Sequence, residues 1–214
     1  MHRLLLVSLI FLSFNLSAQM DSTSYSVGMV VAQNLKQQGL TDLDQASFNK
    51  AVADVLSGAE TKISLADANA NFQQYVQKSR EMASQKVKIE GEEFLKKNGE
   101  RPEVTTTASG LQYEVLVPST NPQKPGPTDK VKVHYHGTLI DGTVFDSSVD
   151  RGEPISFPLN GVIKGWTEGL QLMSVGSKHR LFIPYDLAYG TNGAGGAIKP
   201  YQALIFDVSL LAIE

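Results

Sequence analysis

The sequence predicts an α+β protein: an all-helical N-terminal part with one long connecting helix, then an antiparallel sheet with a short helix packed on it. Three observations predict it. Residues 21–100 hold five of the 18 glycines and none of the nine prolines, so chain-punctuating residues are concentrated after residue 100. Apolar residues recur at three- and four-residue spacing in the first part, and they alternate with polar ones in the second.

The elements follow in order. His2 and Arg3, the apolar run Leu4–Leu12 and the small residues up to Gln19 have the pattern of a signal peptide over residues 1–19, cleaved near Ala18. The run is short for a membrane span, so the mature chain is expected without one. Helix 1 is predicted from Ser22 to Gln38, with Tyr25, Met29, Ala32 and Leu35 on one face and Gly39 ending it. Helix 2 follows Asp42 or Asp44, carries Phe48, Val52, Val55 and Leu56, and stops at Gly58. Helix 3 starts at Ser64, paired with Asp67 as in a capping box, and runs to Asn98-Gly99. At 1.5 Å per residue this is roughly 50 Å, too long to bury against two short neighbours, so it reads as a stalk, a linker or a dimer element. Two short helices and one long one make a poor isolated core, which points to pairing across a homodimer over residues 20–100.

Arg101–Ser109 is a boundary, and the second domain spans residues 108–214. Strands are predicted at Leu111–Val117, Lys130–Ile140, Ser177–Pro184 and Leu204–Ile213, with a proline-rich loop at Pro118–Asp129 and a turn at Asp141-Gly142. Val162–Leu172 carries one short helical pattern at Ile163, Trp166 and Leu170.

Composition removes several function classes. The 214 residues carry a net charge of −3, which gives a nucleic-acid partner no electrostatic support. There is no cysteine, so disulfides, thiolate catalysis and sulfur-bound zinc are excluded. An exported chain without disulfides leans towards a periplasm. His134 and His136 share a strand face, but a metal site needs a third ligand and none lies near in sequence. The run Asn192–Gly196 lacks the Lys-Ser/Thr ending of a phosphate loop and reads as a turn at the rim of a site. Ser147 and Ser148 lack the G-x-S-x-G pattern of a hydrolase nucleophile. No metal and no cofactor is expected.

What remains is aromatic. Tyr135, Phe145, Phe157 and Trp166 lie within three dozen residues, with Asp146, Val162 and Ile163 among them, and Tyr185, Tyr189, Tyr201 and Phe206 follow. Such a set builds either an ordinary core or an apolar pocket with one carboxylate. Glycines 165 and 169 flank Trp166 and would let a ligand or backbone approach the indole. Asp146 would need partners if buried, and Tyr or Arg side chains could supply them. Few reactions need only a dry, shaped surface, and rotation about an X–Pro amide is one.

The stretches VHYHGTLIDGTVFDSS, VIKGWTEGLQLMSVG, IPYDLAYG and ALIFDVSLLAIE closely resemble the FKBP-type peptidyl-prolyl isomerase domain, over residues 108–214. The helical half is similar to the dimerisation segment of that family's Mip-like secreted branch. The resemblance implies an antiparallel sheet wrapped around a short helix. It also implies a catalytic set of Tyr135, Phe145, Asp146, Tyr189 and Phe206, with Phe157, Val162, Ile163, Trp166 and Ile198 binding substrate. In that reading Trp166 is the pocket floor, and the Tyr189 hydroxyl and the Ile198 amide hold substrate carbonyls. Ile155 competes with Phe157 for its place, and Ala194 stands where many relatives carry a larger rim residue. The implied partners are proline-containing polypeptides, a second copy of the chain and a macrolide inhibitor. The implied activity is proline isomerisation assisting the folding of exported proteins in the periplasm. The alternative is a chaperone that holds proline segments without catalysis.

Overall fold

The computed structural model describes residues 21–214; the expected signal peptide and its cleavage near Ala18 lie outside the described residues. Three helices come first: α1 (Ser22–Gln37), α2 (Gln45–Ser57) and α3 (Leu65–Asn98). Their ends follow from local chemistry. The Asp21 carboxylate accepts the Ser24 N–H at 2.9 Å and the Asp44 carboxylate accepts the Ser47 N–H at 2.8 Å, each satisfying a first-turn donor that the helix leaves open. Gly58 closes α2 in the left-handed region at φ 70°. Ser64 accepts the Asp67 N–H at 3.1 Å while its hydroxyl donates to the Asp67 carboxylate at 2.7 Å, so the predicted pair does start α3. No residue of α1 or α2 is buried.

By contacts the chain divides into two units, one ending at Ala68 and one spanning Asn69–Glu214. The division falls inside α3 because the last turns of that helix are built into the sheet. Asn98 donates to the Gln112 side chain at 2.9 Å, Gln112 donates back to the Leu95 carbonyl at 2.9 Å, and the Phe94 and Phe182 rings lie 6.0 Å apart.

The second unit holds β1 (Val104–Thr106), β2 (Gln112–Val117), β3 (Lys130–Leu139), β4 (Val144–Ser147), β5 (Ile155–Pro158), α4 (Lys164–Leu172), β6 (Lys178–Ile183) and β7 (Leu204–Ile213). They form one antiparallel sheet in the order β1-β2-β6-β7-β3-β4, with β5 also paired to β3. The long strands match the alternation read from sequence: in β3, Val131, Val133, Tyr135, Gly137 and Leu139 are buried while their neighbours face the other side. β1, β4 and β5 are too short, at three or four residues, for a two-residue period to mark them in sequence. β1 lies in the stretch expected to be only a boundary.

α4 packs across the inner face and buries Trp166 and Leu170. A Cβ on Gly165 would lie 2.4 Å from an Ile183 methyl, and one on Gly169 would lie 2.8 Å from Leu181. These glycines therefore let the helix sit down on β6. That corrects the expectation that they let a ligand or backbone approach the indole: a four-residue spacing puts both on the sheet-facing side of the helix, against Ile183 and Leu181 side chains.

Candidate active site

Three strands meet at Gly137. In register, Asp146 of β4 pairs with it on one side and Phe206 of β7 on the other, while Tyr135 lies two residues back on the same face. Trp166 comes up from α4 beneath them. Its ring centroid is 5.1 Å from those of Tyr135 and Phe206, both edge to face, and 5.3 Å from that of Phe157. Phe145 meets Phe206 edge to face at 5.3 Å. Edge-to-face contacts match the positive rim of one ring to the negative face of the next, so the walls hold one another in place.

The rings enclose a cavity of about 420 Å³. Nine residues singled out in the sequence line it: Tyr135, Phe145, Asp146, Phe157, Val162, Ile163, Trp166, Tyr189 and Phe206. Ile155 lines it too, so the choice between Ile155 and Phe157 dissolves: β5 presents both, two residues apart, on one face. The floor is dry, with Tyr135, Trp166 and Phe206 at most 5% exposed, whereas Tyr189 is 40% exposed at the mouth.

Ile198 departs from expectation. It packs in the same core cluster but does not line the cavity, and its N–H donates to the Ala194 carbonyl at 3.0 Å in a small closed bridge. An amide already spent within the rim loop is not free for a substrate carbonyl. Ile163 is the better placed donor. It precedes α4 as an N-cap without a side-chain cap, and its N–H has no acceptor among the described residues. Sequence reasoning chose Ile163 for its apolar side chain and missed the amide, because that donor exists only once a helix begins there.

The one charged wall is a cluster. Asp146 accepts from the Tyr135 hydroxyl on one oxygen and from Arg151 on the other, and Arg151 also donates to the Tyr135 hydroxyl oxygen at 2.9 Å. The guanidinium lies 5.6 Å from the Tyr135 ring centroid. Burial pushes the Asp146 carboxyl up, but the hydrogen bonds from Tyr135 and Arg151 and the Arg151 charge outweigh it and hold the group below its ordinary 3.8. Burial and then the hydrogen bond to Asp146 raise the Tyr135 hydroxyl. Asp146 is therefore a fixed negative charge at neutral pH, not a proton shuttle. Arg151 was foreseen only as a residue type; it is the sole arginine between Arg101 and Arg180, which was the available signal.

The turn after Asp146 is held from behind. The fully buried Ser148 hydroxyl accepts the Tyr135 N–H at 2.8 Å and lies 3.1 Å from His134 Nδ1; the Ser147 hydroxyl lies 2.9 Å from His136 Nδ1 and accepts the Asp150 N–H at 3.1 Å. These histidines and serines brace the turn that carries Asp146 and Arg151. A second cavity, of about 370 Å³, includes His136, Arg101 and Arg180. Its arginines are already paired, with Glu103 and Glu114 and with Asp207, so it offers no convergent free group.

Sequence comparison agrees with this geometry. Residues 121–211 match the family described as FKBP-type peptidyl-prolyl cis-trans isomerase, and residues 20–115 match the domain amino terminal to it. The FKBP-type peptidyl-prolyl cis-trans isomerase FkpA of Aeromonas hydrophila is 49% identical over 199 residues, covering 88% of this chain and 73% of the relative. The chain belongs to the FKBP-type peptidyl-prolyl cis-trans isomerase family. The outer membrane protein MIP of Legionella longbeachae is 40% identical over 207 residues, covering 94% of this chain and 88% of that one. The crystal structure of FkpA from Escherichia coli superimposes with a TM-score of 0.75 at 36% identity, covering 90% of this chain and 93% of that one.

Within this FKBP-type pocket Gly137 has no room for a side chain. A Cβ there would lie 2.8 Å from the Phe145 ring and 2.9 Å from the Phe206 ring. Gly137→Ala is expected to force the two walls apart and raise KM for a proline peptide severalfold, with a stability loss of about 1–3 kcal/mol as in other overpacked sites. A variant with the parent's KM and melting temperature would count against the wall assignment.

Proposed function

We propose that this pocket catalyses cis–trans rotation about X–Pro bonds by binding the twisted amide better than either planar form. The carrying observation is a cavity walled by Tyr135, Phe145, Phe157 and Phe206 over Trp166, with a single fixed carboxylate, Asp146, at its edge. The uncatalysed barrier is about 18–20 kcal/mol, set by amide resonance. Twisting the bond removes the charge separation that water stabilises, so a dry pocket disfavours the planar amide relative to the transition state. No bond is made or broken.

The roles follow from position. The proline ring stacks over Trp166. The unpaired Ile163 N–H donates to a carbonyl oxygen beside the twisting bond. The Tyr189 hydroxyl, without a partner in the chain among the described residues, serves a second carbonyl at the mouth. Asp146 supplies a field that opposes build-up of negative charge on the rotating carbonyl oxygen.

The same reading makes the chain a homodimeric folding helper of exported proteins. Exposed Tyr25, Met29 and Val30 on α1 and Phe48, Val52 and Val55 on α2 favour burial against a second copy. The leader-like residues 1–19 favour export to the periplasm, and no described helix is long and apolar enough to cross a membrane. A protease-coupled proline-peptide assay on the purified chain tests the activity, and a macrolide that fills the pocket should suppress it. Turnover at the uncatalysed rate alongside intact suppression of client aggregation would leave the non-catalytic chaperone instead. A monomer mass by light scattering would remove the dimer.

A further inference from the structure

The C-terminal half of α3, which belongs to the same unit as the pocket, packs against the segment around Ala203. Gly91 faces Ala203 so closely that a Cβ there would lie 3.2 Å from the Ala203 Cβ and 3.9 Å from the Tyr201 carbonyl oxygen. Three residues earlier on the helix, and so on the same side, Lys88 places its ammonium 5.8 Å from the ring centroid of Tyr185 and 5.9 Å from that of Tyr201. The two rings meet edge to face at 5.1 Å. Lys88 is drawn in: its side chain is 32% exposed, against 78% for Lys86 on the same helix. It also lies 3.9 Å from the Glu92 carboxylate, an ordinary contact one turn on.

Tyr185 and Tyr201 bracket the segment that carries Tyr189 and the rim loop. The Gly190 N–H donates to the Tyr185 carbonyl at 2.8 Å, and the Tyr201 N–H donates to the Gly190 carbonyl at 2.9 Å, so the two tyrosines tie the loop shut at its base. Tyr201 stands at φ 61°, the single non-glycine residue with positive φ among the described residues. A bulky residue holds that conformation only where its surroundings over-determine it. Here those surroundings are the Gly190 carbonyl, the Tyr185 ring and α3.

We propose that Lys88 is a positioning residue for the isomerase pocket: by holding Tyr185 and Tyr201 together it fixes the base of the rim loop and thereby the placement of Tyr189 over the substrate. This rests on the isomerase reading above. It makes the long helix part of the machinery that sets substrate affinity, in addition to its role as a connection.

The test uses the full chain with Lys88→Met, Lys88→Arg and Lys86→Met. Lys88→Met keeps the apolar stem and removes the cation. It is expected to raise KM for a proline peptide roughly two- to fivefold, the worth of one exposed cation–π contact, with kcat little changed. Amide hydrogen exchange over residues 189–201 should quicken while the melting temperature falls by no more than about 2–4 °C. Lys88→Arg should restore both readouts, because a guanidinium also lies well on aromatic faces. Lys86→Met should behave as the parent. An unchanged KM, or a raised KM without faster exchange at the rim, overturns the proposal. A parent protein without turnover would sink the isomerase reading, while the exchange comparison would still decide the positioning.

Discussion

Trp166→Ala is expected to unfold much of the isomerase unit's margin as well as to remove its substrate floor. Trp166 is 5% exposed and makes ring contacts with Tyr135, Phe157 and Phe206 at 5.1–5.3 Å. Truncating a buried tryptophan to alanine costs about 3–5 kcal/mol, against a total stability of about 5–15 kcal/mol for an ordinary domain. A fall in melting temperature of about 10 °C or more should accompany the loss of proline-peptide turnover. From sequence alone, this truncation is expected to damage binding more than fold; the burial of the ring makes the two inseparable in the alanine variant. Trp166→Phe separates them: it keeps an aromatic core contact and should retain most of the stability while weakening peptide binding. Calorimetry and peptide titration on both variants check this, and a Trp166→Ala protein that melts with the parent would refute the placement.

Asp146→Asn is expected to lower kcat/KM about tenfold, close to the worth of one hydrogen bond to a charged group. The change keeps the shape but removes the charge that both Tyr135 and Arg151 donate to, and it turns an amide NH2 towards one of these donors. The pH dependence is distinctive. The folded carboxyl sits below its ordinary 3.8, so its contribution to stability is complete above about pH 4 and is lost as pH falls through the lowered folded value. The stability gap between parent and Asp146→Asn should therefore be flat around neutrality and close in acid. A gap that widened as pH fell would mean that Asp146 is not held ionised by its partners.

Much of the fold was legible because its signals are local. Asp44, Gly58 and the Ser64–Asp67 pair mark helix ends through hydrogen bonds spanning three or four residues. The alternation of Val131, Val133, Tyr135, Gly137 and Leu139 marks β3 as half buried. The short strands β1, β4 and β5 carry no such signal, since each owes its extended form to its partner: β5 to Lys130–Val133 of β3, β1 to Gln112–Glu114 of β2. The site was legible as a set of side chains, and nine of the ten named residues line one cavity. Its backbone donors were not. Whether the Ile198 or the Ile163 N–H is free depends on a bridge to Ala194 and on where α4 begins.

The sequence by itself determined the helical and sheet halves, the aromatic inventory and the family, because period, capping and motif order are properties of neighbouring residues. Only the tertiary structure decided what those residues do to one another. It brought Arg151 onto Asp146 and Tyr135, turned Gly165 and Gly169 towards β6, and set Lys88 beside Tyr185 and Tyr201 at the base of the rim. The physical reason is range. A hydrogen bond, a ring contact or a missing Cβ acts over a few ångströms of space, and residues far apart in the chain come that close only when the sheet has closed around its helix.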